Sequence, residues 1–357
     1  MSSYPISKVY ASDARGIAVV EKLLEAEGIR RDANLDYTCA MFEDGRAIAT
    51  GSCFGNTLRC MAVASEHQGE QLMNEIVTHL MEVEAERGCY RLFLYTKCAS
   101  AKFFGSLGFY EVARAEGKAV LMENRRDGFS SYLANLAKSR VEGAKSAAIV
   151  MNANPLTTGH LHLIETAASR ADVVHLFCVS EDKSLFPFAV RKRLISEGVA
   201  EAGLANVVLH DSGPYIISSA TFPSYFLGDS LDVAAGHAAL DAAVFCHIAE
   251  ALGVSERFCG EERSSAVTAT YNEVMARELP AHGIAFTVIP RIDARGHEAS
   301  GEDARPVSAS TVRQLIQRDA FDELRELVPE CTYRYLSSDE AAPVIARIKA
   351  AGDVIHH

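Results

Sequence analysis

Residues 147–166 pass from an unbroken apolar run, AAIVM, through NANP into LTTGHLHLIET. No other junction in the chain constrains the fold as much. A short run with no polar interruption suits a strand buried on both faces, as in a parallel sheet. Asn152, Asn154 and Pro155 are turn residues. Beyond them Leu161, Ile164 and Ala168 fall at helical spacing, with Leu163 and Ala167 beside them. Thr157 or Thr158 can cap that helix, which places Gly159 and His160 in a first turn whose amides have no partners within the helix. Such a terminus attracts anions, phosphate above all. Gly159 lets a ligand approach the backbone, and His160 can donate to a phosphate oxygen. An ordinary capped helix that happens to carry histidines fits the stretch equally well. A P-loop is excluded: GxxxxGK[ST] is absent, and GAKSAA at Gly143 lacks both the first glycine and the GK pair.

The alternation continues beyond this junction. DVVHLFCVS (172–180) leads to a helix near 188–202, NVVLHDS (206–212) to a long helix near 232–252, RFCGEE (257–262) to a helix near 268–279, and IAFTVIPR (284–291) to a helix starting near Ser310. Strands alternating with helices predict a parallel sheet covered on both faces, with ligands at the carboxyl ends of its strands. The N-terminal half is different. A helix near 13–27 precedes strand-like, antiparallel-looking segments DYTCAMFEDG, RAIATGSCFG and TLRCMAVAS. A long helix near 69–87 follows, then YRLFLYTK, a short helix ASAKFFGSLG, and FYEVAR and KAVLMEN. With 357 residues, two domains are expected: 1–125, a helical linker 126–145, and 146–357.

The net charge of −12 argues against a general nucleic-acid binder or a protein of anionic membranes. It does not exclude nucleotides, which need only local positive potential. Nine cysteines stand without a CxxC pair, the N-terminus has no apolar signal core, and no apolar run approaches the ~20 residues of a membrane span. A reduced, cytoplasmic protein is expected.

MAVASEHQGEQLMNEIV and AKFFGSLGFYEV together resemble the GNAT acetyltransferases. In that family a (Q/R)xxGx(G/A) loop cradles the pyrophosphate of acetyl-CoA. Gly69 fills its first glycine, which with Gln68 makes these two the expected binding residues of the loop, and Phe104, Gly108 and Phe109 fit the later motif. Glu66 and Gln71 depart from the loop pattern. The resemblance implies the α+β GNAT fold, used either on a CoA-like group or only to dock a partner.

Thr157, Thr158, Gly159 and His160 resemble the (H/T)xGH signature of the nucleotidylyltransferases. VSASTVR, with Ser308, Ser310, Thr311 and Arg313, is similar to that superfamily's late ISSTxxR motif. The implied fold is a doubly wound, Rossmann-like parallel α/β domain. Joined to a GNAT-like domain, and with LFPFAVRKRLI, YIISSATFPSYFL, CGEE…VTATYNEVM and VSASTVRQ, nearly the whole chain resembles the citrate lyase ligase family.

That resemblance implies a ligase that makes acetyl-AMP and pyrophosphate from ATP and acetate. The acetyl group then passes to the thiol of a CoA-like prosthetic group on the citrate lyase acyl carrier subunit. His160 and the helix amides would serve the α-phosphate, Thr157 would lend a hydroxyl, and Arg313 would pair with the β- and γ-phosphates. Lys183 would add charge on the rim, as would whichever of Arg191 and Arg193 faces inward. His162, Asn152, Asn154, Thr158, Ser308, Ser310 and Thr311 would line the nucleotide site, and Gly260, Glu261 and Glu262 would read adenine or ribose. Mg2+ is expected with ATP, with no ligand named. A simple adenylyltransferase of a phosphopantetheine-like substrate and a non-enzymatic module remain alternatives.

Overall fold

The computed structural model describes residues 4–180, 184–216, 230–261, 266–299, 306–352 and 354. The chain divides into two compact units, one formed by residues 1–132 and 221–244, the other by 133–220 and 245–357.

The first unit contains β1 (Ile6–Lys8), α1 (Ala14–Ala26), β2 (Tyr37–Glu43), β3 (Arg46–Phe54), β4 (Thr57–Val63), α2 (Leu72–Glu86), β5 (Phe93–Thr96), α3 (Ala101–Ser106), β6 (Tyr110–Ala115) and β7 (Ala119–Glu123). Its seven strands run in the order β1-β2-β3-β4-β5-β7-β6. All neighbours are antiparallel except β4 and β5, which pair in parallel only at Thr57–Phe93 and Leu58–Leu94. Past these residues the two strands lose their pairing, and a cleft opens. Helix α2 lies close on β3 because Gly51 has no side chain: a Cβ there would stand 2.5 Å from Ile76 Cγ2 and 2.9 Å from Leu80 Cδ1. Helix α4 (Gly128–Leu136) follows β7, and the Phe129 amide donates to the buried Glu123 carboxylate at 2.6 Å.

The second unit contains β8 (Ser146–Met151), α5 (Thr158–Ala168), β9 (Val173–Cys178), α6 (Phe188–Glu201) and β10 (Val207–Asp211). Helix α7 (Ser230–Leu252), whose residues from Phe245 group here, leads to β11 (Val254–Gly260), α8 (Ala266–Ala281), β12 (Ala285–Ile289), α9 (Ala309–Gln317), α10 (Glu330–Leu336) and α11 (Ala342–Ala350). The sheet order is β10-β9-β8-β11-β12, and every pair is parallel. The expected α/β architecture is therefore present. Alternation along the strands sends Ala147, Ile149 and Met151 of β8 and Val174, Leu176 and Cys178 of β9 into one core, shared with Leu163 and Ile164 of α5, Leu194 of α6 and Val312 and Ile316 of α9. The chain leaves β8 toward β9 and returns on its other side as β11, so the carboxyl end of β8 is the point where the winding reverses, the usual place for a ligand. Among the described residues no helix is long and apolar enough to cross a membrane.

Candidate functional site

Thr157 is the N-cap of α5. Its Oγ1 accepts from the His160 amide at 3.3 Å, and its own amide donates to His160 Nδ1 at 3.1 Å. This is a capping box with histidine in place of the usual Glu or Gln. An amide can only donate, so Nδ1 must accept, and the neutral ring carries its proton on Nε2. Burial, then the charge of Arg291, then that of Arg313 pull the His160 pKa down to about 4. At neutral pH His160 is thus an uncharged imidazole with one donor, on Nε2.

The other first-turn groups divide between structure and site. Thr158 directs its amide (3.0 Å) and hydroxyl (3.2 Å) to the Leu327 carbonyl, so it fastens α5 to the C-terminal helical region. The Gly159 amide has no partner among the described residues. A Cβ on Gly159 would meet the Val307 carbonyl at 3.3 Å. The Val307 backbone thus comes close on the Cβ side of Gly159, and this approach joins the two motifs.

Val307 precedes Ser308, the N-cap of α9, whose Oγ accepts from the Thr311 amide at 3.1 Å and lies 2.9 Å from Ser310 Oγ and 2.8 Å from Thr311 Oγ1. These three half-buried hydroxyls mark a second helix N-terminus beside the first, as the two motifs implied. Arg313 is placed differently from expectation. It is 2% exposed, and it donates from Nε to the Val354 carbonyl at 2.6 Å and from Nη1 to the Asn154 carbonyl at 2.5 Å. The guanidinium fastens backbone where the motif suggested a contact with phosphate.

Asn154 is also turned inward, 3% exposed, with Oδ1 accepting from the Phe186 amide at 3.0 Å. Asn152 is exposed but engaged: it donates to Ser184 Oγ at 2.9 Å and accepts from Arg191 Nη1 at 2.7 Å. Of the two candidate arginines Arg191 points inward. It is fully buried and also donates to the carbonyls of Asn152, Val179 and Phe186, which makes it the clasp of the β8 and β9 ends. Arg193 is on the surface, paired with Glu340 at 2.9 Å and Glu197 at 3.8 Å. His162 is half-buried on α5. Gly260 ends β11 with open space where a Cβ would stand. The Glu261 amide donates to the Ile289 carbonyl at 2.9 Å. Lys183, Glu262 and the ISSATFPSYFL segment (217–227) lie outside the described residues.

Sequence reasoning missed Arg291. It is half-buried just beyond β12, donates from Nε to the Glu261 carbonyl at 2.6 Å, and influences His160 more than Arg313 does. Its place at the carboxyl end of the last strand was the available signal.

In the first unit Gln68 and Gly69 line a cavity of about 600 Å³ between the parting ends of β4 and β5, with Met61, Tyr95, Lys97 and Phe104 also on its walls. Gly69 has φ +98°, and Gln71, one of the two departures from the loop pattern, has φ +63° at the N-cap of α2. Gln71 thus holds a left-handed conformation that glycine adopts more readily.

Residues 146–336 match the model of the citrate lyase ligase C-terminal domain, and residues 7–111 that of the acetyltransferase (GNAT) family. A citrate (pro-3S)-lyase ligase of Klebsiella pneumoniae is 37% identical over 318 residues, 89% of this chain and 91% of the relative. Its counterpart in Haemophilus influenzae is 34% identical, covering 91% and 96%, and that in Escherichia coli 34%, covering 93% and 93%. With a family model spanning more than half of its length and relatives 34–37% identical over about nine-tenths of it, this chain belongs to the citrate lyase ligase family.

Proposed function

We propose that the protein activates acetate with ATP and acetylates the thiol of a CoA-like prosthetic group on the citrate lyase acyl carrier subunit. The observation that carries this reading is the meeting of two helix N-termini, at Gly159 and at Ser308–Thr311, around the neutral donor His160. Amides and hydroxyls at two such termini suit a polyphosphate.

Acetate is ionised at neutral pH, as a carboxyl with a pKa of roughly 4–5 is, so the first step needs no general base. A carboxylate oxygen attacks the α-phosphorus, the bond to the bridging oxygen breaks, and pyrophosphate leaves with the electron pair. His160 Nε2–H and the Gly159 amide donate to α-phosphate oxygens as negative charge builds there. Two neutral donors can do this without the desolvation cost of a buried cation. In the second step the partner's thiolate attacks the acetyl carbonyl and AMP leaves. Burial pushes the thiols of Cys178 and Cys259, in β9 and β11, up to about 11, so neither offers a thiolate at neutral pH. The cavity of the first unit is proposed to receive the prosthetic arm.

Mg2+ is expected to accompany ATP. Among the described residues no group of three or more His, Cys, Asp and Glu is gathered to hold a metal. We take the cation to arrive with the nucleotide substrate, as Mg2+ does where phosphates supply much of its coordination.

The test is exchange of labelled pyrophosphate into ATP. Acetate should support it and 4′-phosphopantetheine should not. Exchange with phosphopantetheine alone would make the protein a simple adenylyltransferase.

A further inference from the structure

Arg291 is fixed in the adenylating site from two sides. Its Nε donates to the Glu261 carbonyl at 2.6 Å, and its own carbonyl accepts from the Ala299 amide at 2.7 Å. The carbonyl of the next residue, Ile292, accepts from the Val307 amide at 2.9 Å, and the Val307 carbonyl is the atom that a Cβ on Gly159 would meet at 3.3 Å. Arg291 is therefore one residue away from the segment that abuts the Gly159–His160 turn. Its charge follows burial as the largest influence holding His160 neutral, ahead of the charge of Arg313. Arg291 is also half-buried, whereas Arg313 is 2% exposed and donates to two carbonyls. A tethered, partly accessible guanidinium keeps its planar fork oriented for phosphate.

We infer that Arg291 is the cation that meets the β- and γ-phosphates of ATP, and the pyrophosphate that leaves, while Arg313 is a positioning residue that holds the Asn154 loop. This assignment rests on the adenylating reading of the site. It moves the phosphate contact from the arginine of the late motif to an arginine outside any motif. It also gives the pyrophosphate a counter-charge on the β12 side, at the carboxyl edge of the sheet where the two helix termini meet.

Titration calorimetry with ATP and with AMP separates the phosphates concerned. Arg291→Ala should weaken ATP by about 10- to 100-fold, the loss of a charged hydrogen bond, and leave AMP within twofold. The KM for pyrophosphate in the exchange reaction should rise in parallel. Arg291→Lys should restore part of both. Arg291→Gln, which can keep a donor to the Glu261 carbonyl, should retain the wild-type melting temperature and still lose ATP. Equal loss of ATP and AMP in a folded variant, or loss of neither, would overturn the assignment. If the wild-type protein binds ATP but shows no acetate-dependent exchange, the ligase reading fails and the binding result still decides the role of Arg291.

Discussion

The Thr157 amide donates to Nδ1 of His160 at 3.1 Å, and the His160 amide donates back to Thr157 Oγ1 at 3.3 Å. One reciprocal pair thereby caps a helix and sets a tautomer. Thr157→Ala removes the side-chain half and should cost about 1 kcal/mol of stability, as lost N-caps do. It keeps the backbone half, so exchange should fall only modestly. His160→Ala should reduce exchange by roughly 10²–10³-fold, the usual loss for a preorganised donor, with the fold retained by circular dichroism. Normal exchange in a folded His160→Ala protein would remove His160 from the chemistry.

Acid should destabilise the protein in a defined window. His160 and His175 are held down to about 4 from 6.5, the first by burial followed by Arg291 and Arg313, the second by burial followed by His210. The unfolded chain takes up these protons below about pH 6.5, while the folded protein resists until about 4. The stabilisation is complete above 6.5 and declines as pH falls toward 4. Urea titrations at pH 7 and pH 5 measure the decline. An NMR titration in which the His160 ring protonates near 6.5 would contradict it.

Arg191 should be among the least replaceable side chains. Arg191→Met retains bulk but abandons the carbonyls of Phe186, Asn152 and Val179. A buried acceptor left without a donor costs about 1–3 kcal/mol; the Phe186 carbonyl is buried and the other two are part-buried, so the loss should be at least about 1 kcal/mol by chemical denaturation. Arg193→Met, at the surface, should change stability by less than about 1 kcal/mol.

Filling the cavity of the first unit should separate the two half-reactions. Excision at residue 125 is a poor instrument, because this unit also draws on residues 221–244. Ala99 is exposed on the cavity wall, and Ala99→Trp places bulk there without altering a positive-φ glycine. Acetate-dependent exchange should persist, while acetyl transfer to the carrier thiol should drop at least about tenfold through lost positioning. Transfer at the normal rate would make the cavity a bystander.

The sheet of the second unit was legible because strand periodicity and turn residues are local signals. AAIVM is β8, and the cap at Thr157 stands where spacing placed it. What a side chain does at a motif position was less legible. Thr158 and Arg313 stand in motif positions, yet the partners that occupy them, Leu327 and Val354, come from the distant C-terminal region. Arg191 and Arg193 are two residues apart, and only the packing of α6 distinguishes a clasp from a surface pair. Arg291 follows Pro290 in no pattern of its own and gains meaning only beside Glu261 and Val307.

Asn154 and Arg313 are 159 positions apart, and Arg313 Nη1 donates to the Asn154 carbonyl. The chain between them must close a very long loop, so the two halves of the proposed nucleotide site, each a local helix cap, come together only when the intervening strands have docked. A partly folded second unit can hold either cap but not the two together. ATP, lying across both termini, would act as a cross-link and draw the equilibrium toward the closed sheet in proportion to its saturation. Nucleotide occupancy and integrity of the domain are then one equilibrium seen through two probes.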